Sequence, residues 1–264
     1  AVADGFLTAY PCGAPVPVPR WVERVTPRTA HAHVFVAGAR AGAPAPANLA
    51  APRLSPDDHH HLARVLRLAA GSDITVGDGS GRWRPARLAD GLTVDVTGDV
   101  VADPRPEPPI TVAFALVKGD RPELTVQKLT ELGADRIVPF VAERGVVRWD
   151  AAKADRQLAR LTDIARQAAM QSRRTWLPRV ERVATFGEVA SLAGAVMADS
   201  DGGPPSLDRP VVLVGPEGGW SPTERDTDLP RIRIGSHVLR TETAAITAGG
   251  LLAALRENIV VGQR

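Results

Sequence analysis

VVLVGPEGGWSPTE, residues 211–224, is the stretch that decides the fold. Val211–Val214 is an uninterrupted apolar run, the pattern of a strand buried on both faces of a parallel sheet. It leads directly into Gly215-Pro216-Glu217-Gly218-Gly219, and a helix follows. Ser221 and Glu224 make a capping box, and Pro222 takes the first helical position. Glycines at the carboxyl end of a strand let a ligand approach the backbone, and open α/β sheets bind their ligands there. Two adjacent glycines serve equally well in a tight turn that needs positive φ, so this loop alone does not establish a site.

About twenty residues on, IGSHVLRTETAA (234–245) repeats the order of strand, glycine-bearing loop and helix. Two such loops can close a pocket from two sides. Thr241 has the chemistry of an N-cap and Glu242 suits a first helical turn, so neither needs a function to explain its presence.

Working outward, residues 110–264 alternate strand and helix. Ile110–Val117 is a buried apolar strand, Pro122–Leu132 a helix ending at Gly133, and Ile137–Val141 a second strand. Ala151–Ser172 is a long helix with Leu158, Leu161, Ala165, Ala168 and Ala169 on one side. Gly194–Ala198 and Ile232–Ile234 complete the strands, and Thr243–Asn258 is the closing helix. Helices covering a parallel sheet follow from this alternation. Pro104–Pro109 (PRPEPP) is a stiff extended linker, because each proline fixes φ. Residues 30–103, ahead of it, read as a small β-rich domain with one helix. His33–Val36 is its first strand, and a Pro/Ala-rich loop runs from Ala41 to Pro52. Ser55-Pro56-Asp57-Asp58 opens the helix, which places Leu62, Val65, Leu66 and Leu68 inward and stops at Gly71. Ile74–Val76, Arg82–Leu88 and Leu92–Val96 are strands, with an Asp78-Gly79-Ser80-Gly81 turn after the first. Residues 1–29 carry five prolines between Pro11 and Pro27 and no apolar period, and are expected to be irregular.

Of the 264 residues 44% are apolar and 23% charged, the balance of an ordinary globular surface and core. The formal charge of +2 is compatible with a nucleic-acid partner but does not argue for one. Only Lys118, Lys128 and Lys153 are lysine, leaving 29 of the 32 basic residues as arginine. Arginine suits phosphates and base edges, yet the parallel excess of Ala, Gly and Pro points to genomic base composition. Cys12 alone provides neither a disulfide framework nor a thiolate metal site. No apolar run reaches the roughly 20 residues of a membrane span, and the N-terminus lacks the basic-then-apolar order of a signal peptide. A cytoplasmic location is the expectation. Gly77, Gly79 and Gly81 miss the dinucleotide spacing, and neither a Walker-type loop nor a Gly-x-Ser-x-Gly elbow is present. His59, His60 and His61 point about 100° apart on a helix and cannot share one ion, so no metal is expected.

VGPEGGWSPTE paired with IGSHVLRTETAA resembles the SPOUT methyltransferases, and specifically the bacterial 16S rRNA uracil-N3 methyltransferases. The likeness runs from about residue 31 onward. HHLARVLRL (60–68), Gly71, Asp73 and the turn at 78–81 resemble that family's N-terminal PUA-like β-barrel domain. KGDRPELTVQKLTELGAD (118–135), Glu143-Arg144-Gly145 and RQAAMQSRRTWLP (166–178) resemble its central blocks. Residues 1–29 have no counterpart. The resemblance implies a trefoil-knotted α/β domain with a parallel sheet, a homodimer, and S-adenosylmethionine bound bent within the knot. Gly215, Glu217, Gly218, Ile234, Gly235 and Leu239 would hold the cofactor, with Thr241 and Thr243 nearby and Val214, Pro216, Gly219 and Val238 in the same two loops. Methylation at uridine N3 requires loss of the N3 proton, with negative charge developing on the flanking carbonyl oxygens. Arg144 and Arg240, with Lys118 behind them, are candidates to meet that charge. Glu242 and Glu131 are the carboxylates available as base, and water is a third acceptor. Arg64 and Arg67 on the N-terminal helix, and Arg166, Arg173, Arg174 and Arg179, are candidates to position 16S rRNA or the small ribosomal subunit through its phosphates.

Overall fold

The computed structural model describes residues 25–41 and 47–260. Most of the irregular lead-in, and the middle of the Ala41–Pro52 loop, lie outside the described residues.

The N-terminal sheet comprises β1 (Ala32–Phe35), β2 (Asp73–Gly77), β3 (Arg82–Leu88), β4 (Val94–Val96) and β5 (Val101–Ala102). β1 runs parallel to β2, while β2–β3, β3–β4 and β3–β5 are antiparallel. Its core holds Phe35, Leu54, Leu62, Ile74, Val76, Ala86 and Leu88.

Helix α1 starts as the sequence dictates. Ser55 sits in extended backbone and its hydroxyl accepts from Asp58 N at 3.1 Å. The helix does not continue regularly to Gly71. α1 covers only Pro56–His60, a π-helical turn occupies His61–Val65, and Arg67 reverses the chain at φ 54°. The wider turn rotates its last residue and those after it away from the core. Leu62 stays fully buried, whereas Val65 is 60% and Leu66 45% exposed, against the expectation that both face inward.

The C-terminal sheet comprises β6 (Thr111–Ala115), β7 (Arg136–Val141), β8 (Arg179–Val180), β9 (Ala184–Thr185), β10 (Ala195–Gly203), β11 (Val211–Val214) and β12 (Arg231–Ile232). The strands run in parallel in the order β12-β10-β11-β6-β7-β8, with β9 also on β7. Alternate residues serve opposite faces. Val112, Phe114, Val212 and Val214 pack under α2 (Arg121–Leu132), α3 (Ala151–Gln171) and α6 (Thr241–Arg256). Ala113, Ala115 and Leu213 face the other layer, which contains Trp220 and Val189 of α4 (Phe186–Ala190). The short β5, β8, β9 and α4 carry no periodic signal and were not expected from the sequence.

β6 and β11 are neighbours, but the chain leaves them in opposite directions. After β6 it passes through α2 to β7. After β11 it passes through α5 (Pro222–Arg225) to the edge strand β12. The crevice beyond their carboxyl ends is therefore a topological switch point, the usual ligand site of an open α/β sheet. α6 then returns from that edge to pack on α2, β6 and β11.

An ion pair locks the two domains together. Arg166 of α3 donates to both Asp58 oxygens at 2.7 and 2.8 Å and to the Phe35 carbonyl at 2.9 Å. Asp58 is 4% exposed, so removing the arginine strands a buried carboxylate. Arg166→Met should cost about 3 kcal/mol in urea unfolding. His33 is buried beside this seam, 2.8 Å from Thr75 Oγ1. Burial above all, and then the nearby Arg173 cation, lower its pKa from 6.5 to about 4. Between those values the unfolded chain holds a proton that the folded chain does not. The stability contributed by the neutral ring is therefore complete above pH 6.5 and is lost as the pH falls toward 4, by about 3 kcal/mol in all. Urea titrations at neutral and mildly acid pH should record this slope, and His33→Gln should flatten it.

Candidate active site

Four loops meet at the switch point, each leaving the carboxyl end of a strand. The loop after β6 carries Lys118, the loop after β7 carries Arg144, the loop after β11 carries Gly215–Gly219, and the segment after β12 carries Ile234–Arg240. Lys118 and Arg240 are exposed, and their side chains make no hydrogen bond or ion pair among the described residues.

Thr241 joins the two glycine-bearing loops. It is the first residue of α6 rather than its N-cap; Arg240 holds the cap position without a side-chain hydrogen bond. The freed Thr241 hydroxyl donates to the Gly215 carbonyl at 3.0 Å, and the residue is buried. The expected capping role is thus replaced by a tie between loops.

The glycines have different causes. Gly219 has φ +70° and is the one in this loop that needs a left-handed conformation. Gly215 is required by packing: a Cβ there would lie 2.9 Å from the Trp220 ring. Trp220 stacks on Phe140 at 6.2 Å and donates to the Ala198 carbonyl at 3.0 Å, forming a rigid floor beneath the loop.

The capping box reaches beyond its own helix. Glu224 is buried; one oxygen accepts from Ser221 N at 2.9 Å and the other from Glu143 N at 2.8 Å. Ser221 Oγ in turn donates to Glu143 Oε2. This network fixes the loop after β7 against the loop after β11. Arg148 braces the same turn through the carbonyls of Ala142, Gly145 and Val147. Arg144 therefore projects from a held backbone, and its guanidinium donates to the Gly218 carbonyl at 3.3 Å.

Between Ile234 and Leu239 no backbone group hydrogen bonds to another described residue. Gly235 and Val238 are exposed, Val238 completely, while Ile234 and Leu239 are half-buried. Val214 and Pro216 are buried at the strand end, Glu217 and Gly218 are exposed, and Thr243 is exposed on the first turn of α6. Free N–H and C=O groups from Ile234 to Leu239, tied at Thr241 to the Gly215 loop, form a cradle suited to a ligand rich in donors and acceptors, such as a nucleoside-bearing cofactor.

The remaining candidates are placed elsewhere. Glu131 pairs with Lys128 at 2.8 and 2.9 Å and lines the cleft between the domains. Arg166 is used in the domain lock. Arg174 is largely covered, donating to the Thr130 and Ala134 carbonyls at 2.8 Å, and desolvation lowers its pKa to about 10. Arg173 donates to the His31 carbonyl at 2.9 Å, and Arg179 pairs with Glu181 at 2.9 Å. Arg64 and Arg67 are exposed, with no side-chain hydrogen bond or ion pair among the described residues. Arg121, missed in the sequence, donates to Glu217 at 2.7 Å and lies 3.7 Å from Glu242. Its place at the start of α2, just beyond the Lys118 loop, was the available clue.

Residues 104–253 match the model of an RNA methyltransferase domain, and residues 54–96 that of an RNA methyltransferase PUA domain. The chain is 33% identical to ribosomal RNA small subunit methyltransferase E of Mycobacterium bovis, over 75% of this chain and 84% of the relative. It is 32% identical to the Bacillus subtilis protein of that name, over 73% and 85%. A crystal structure of ribosomal RNA small subunit methyltransferase E from Neisseria gonorrhoeae bound to S-adenosyl methionine superposes with a TM-score of 0.68 at 25% identity, covering 86% of this chain and 97% of that one. With a domain model spanning more than half its length and relatives at this identity, the chain belongs to the ribosomal RNA small subunit methyltransferase E family.

Proposed function

We propose that this protein transfers a methyl group from S-adenosylmethionine to N3 of a specific uridine in 16S rRNA, acting in the cytoplasm. The observation that carries this reading is the pair of glycine loops tied by Thr241, with unbonded backbone from Ile234 to Leu239 at the sheet's switch point. In this reading Val214–Gly219, Ile234, Gly235, Val238, Leu239, Thr241 and Thr243 line the cofactor site. Bound there, S-adenosylmethionine would supply a methyl group on a cationic sulfur. Residues 30–103 dock RNA, 104–109 link, and 110–264 carry the chemistry. The return of α6 from the edge strand, with Thr241 beneath the Gly215 carbonyl, supports a trefoil knot here.

Positioning supplies much of the rate, since well-oriented reactants gain on the order of 7–11 kcal/mol over free encounter. Arg144 and Arg240, with Lys118 behind, place positive charge at the loops' open side and stabilise the uracil carbonyl oxygens as N3 loses its proton. Glu131 is held by Lys128 away from the loops, and Glu242 leans on Arg121, so water takes the proton. RNA docking rests on the exposed Arg64 and Arg67, whose side chains are unpaired among the described residues, because the donors of Arg166 and Arg174 are used within the chain.

A second copy would cover α6. Its inner face buries Ala245, Ala248, Gly249, Leu252 and Ala253, while Ile246, Thr247, Gly250, Leu251 and Ala254 on the other face are only half-covered. A helix apolar all round calls for a partner on both sides.

Labelled S-adenosylmethionine and small ribosomal subunits lacking the modification, followed by digestion to nucleosides, should place the label in 3-methyluridine. Label in another nucleoside would refute the substrate; cofactor binding without transfer would favour a non-catalytic RNA-binding role. Arg144→Ala and Arg240→Ala should each lower kcat about a hundredfold. The rate should rise with pH with no inflection in the carboxylate range; such an inflection would restore Glu242 as base. Leu251→Glu should convert a dimer to a monomer in sedimentation, and a wild type that is already monomeric would refute the pairing.

A further inference from the structure

Arg121 sits where electrostatics disfavour it. It is the first residue of α2, and its guanidinium reaches the first turn of α6. Helix N-termini carry partial positive charge and favour anions. Two carboxylates compensate, one from each side of the cradle. Glu217, in the loop after β11, accepts from Nη1 at 2.7 Å. Glu242 Oε1, on α6, stands 3.7 Å from Nε, within ion-pair range but beyond a hydrogen bond.

The two acids differ in environment. Glu217 is exposed, whereas Glu242 is 8% exposed, and its Oε2 is buried with no partner among the described residues. The guanidinium is thus shared unequally, bonded to the exposed partner on the loop and leaning on the buried partner in the helix. Thr241 fastens the two loops at their base, and Arg121 is a second fastening nearer the rim. No other described cation pairs with either carboxylate.

We infer that Arg121 is a positioning residue that sets the distance between the Gly215–Gly219 loop and the start of α6 by bridging Glu217 and Glu242, and so controls cofactor affinity. The inference rests on the cofactor reading above. Arg121 need not touch the reacting atoms. Without it the Glu217 loop loses its outer anchor, and Glu242 is left as a buried carboxylate with no counter-charge.

Calorimetric titration with S-adenosylmethionine tests this on the full-length protein. Arg121→Gln should weaken binding about three- to tenfold and raise KM for the cofactor alike, with kcat at saturating cofactor changed less. Arg121→Lys, which keeps the charge but loses the fork, should recover part of the affinity. Glu217→Gln should weaken binding in the same direction, and Arg121→Gln with Glu217→Gln should be no worse than Arg121→Gln alone. Unchanged affinity in Arg121→Gln, or a lowered melting temperature as the only effect, would overturn the inference and leave the cofactor reading intact. Failure of the wild type to bind S-adenosylmethionine would overturn both.

Discussion

One topological constraint shapes the site: the chain reaches the sheet's outer strand, β12, and must then return to cover its centre. α6 packs on α2, β6 and β11, so the segment Arg233–Arg240 has to pass the loop that leaves β11. The hydrogen bond from Thr241 to the Gly215 carbonyl marks that passage. Thr241 lies inside the first turn of α6 rather than at its cap, and its hydroxyl donates to Gly215 instead. The consequence is a bare segment, Ile234–Leu239, whose backbone groups are satisfied neither by helix nor by strand. Such groups are costly when buried and idle, and useful when they face a ligand.

The neighbouring loops are held by polar ties above an apolar floor. Glu224 accepts from Ser221 N and Glu143 N, so one carboxylate serves both a helix cap and an interloop contact. Trp220 fills the space beneath Gly215 and leaves no room for a side chain there. Loops at the end of a sheet are ordinarily the mobile part of an α/β protein. Here each is fastened to another, and positioned groups are what an in-line transfer needs.

Much of this was legible in the sequence. The apolar runs at 110–117 and 211–214 marked buried parallel strands, and both capping signatures, at Ser55 and at Ser221-Glu224, are present in the structure. What could not be read was long-range. The π-helical turn at His61–Val65 leaves no mark on the hydrophobic period before it, so Val65 and Leu66 were expected inside. Strands of two residues, such as β8 and β9, are too short to show alternation. Thr241 looks like a cap because its partner, Gly215, is distant in sequence.

The arginines show the same limit most sharply. A run such as Arg166, Arg173 and Arg174 looks like a phosphate-binding stretch, since sequence spacing carries no information about what a guanidinium meets across the fold. In the structure Arg166 meets Asp58, and Arg174 meets two carbonyls at the end of α2 and the Asp135 side chain. Partly buried and paired, these groups act as internal staples whose charge is offset before any RNA arrives. Arg64 and Arg67 are equally close in sequence, but the π-helical turn leaves them exposed beside Val65 and Leu66. With 29 arginines in the chain, abundance cannot separate the two kinds. The separation lies in whether the fold brings a carboxylate or a carbonyl within reach, and that is decided by packing between elements distant in sequence rather than by any local pattern.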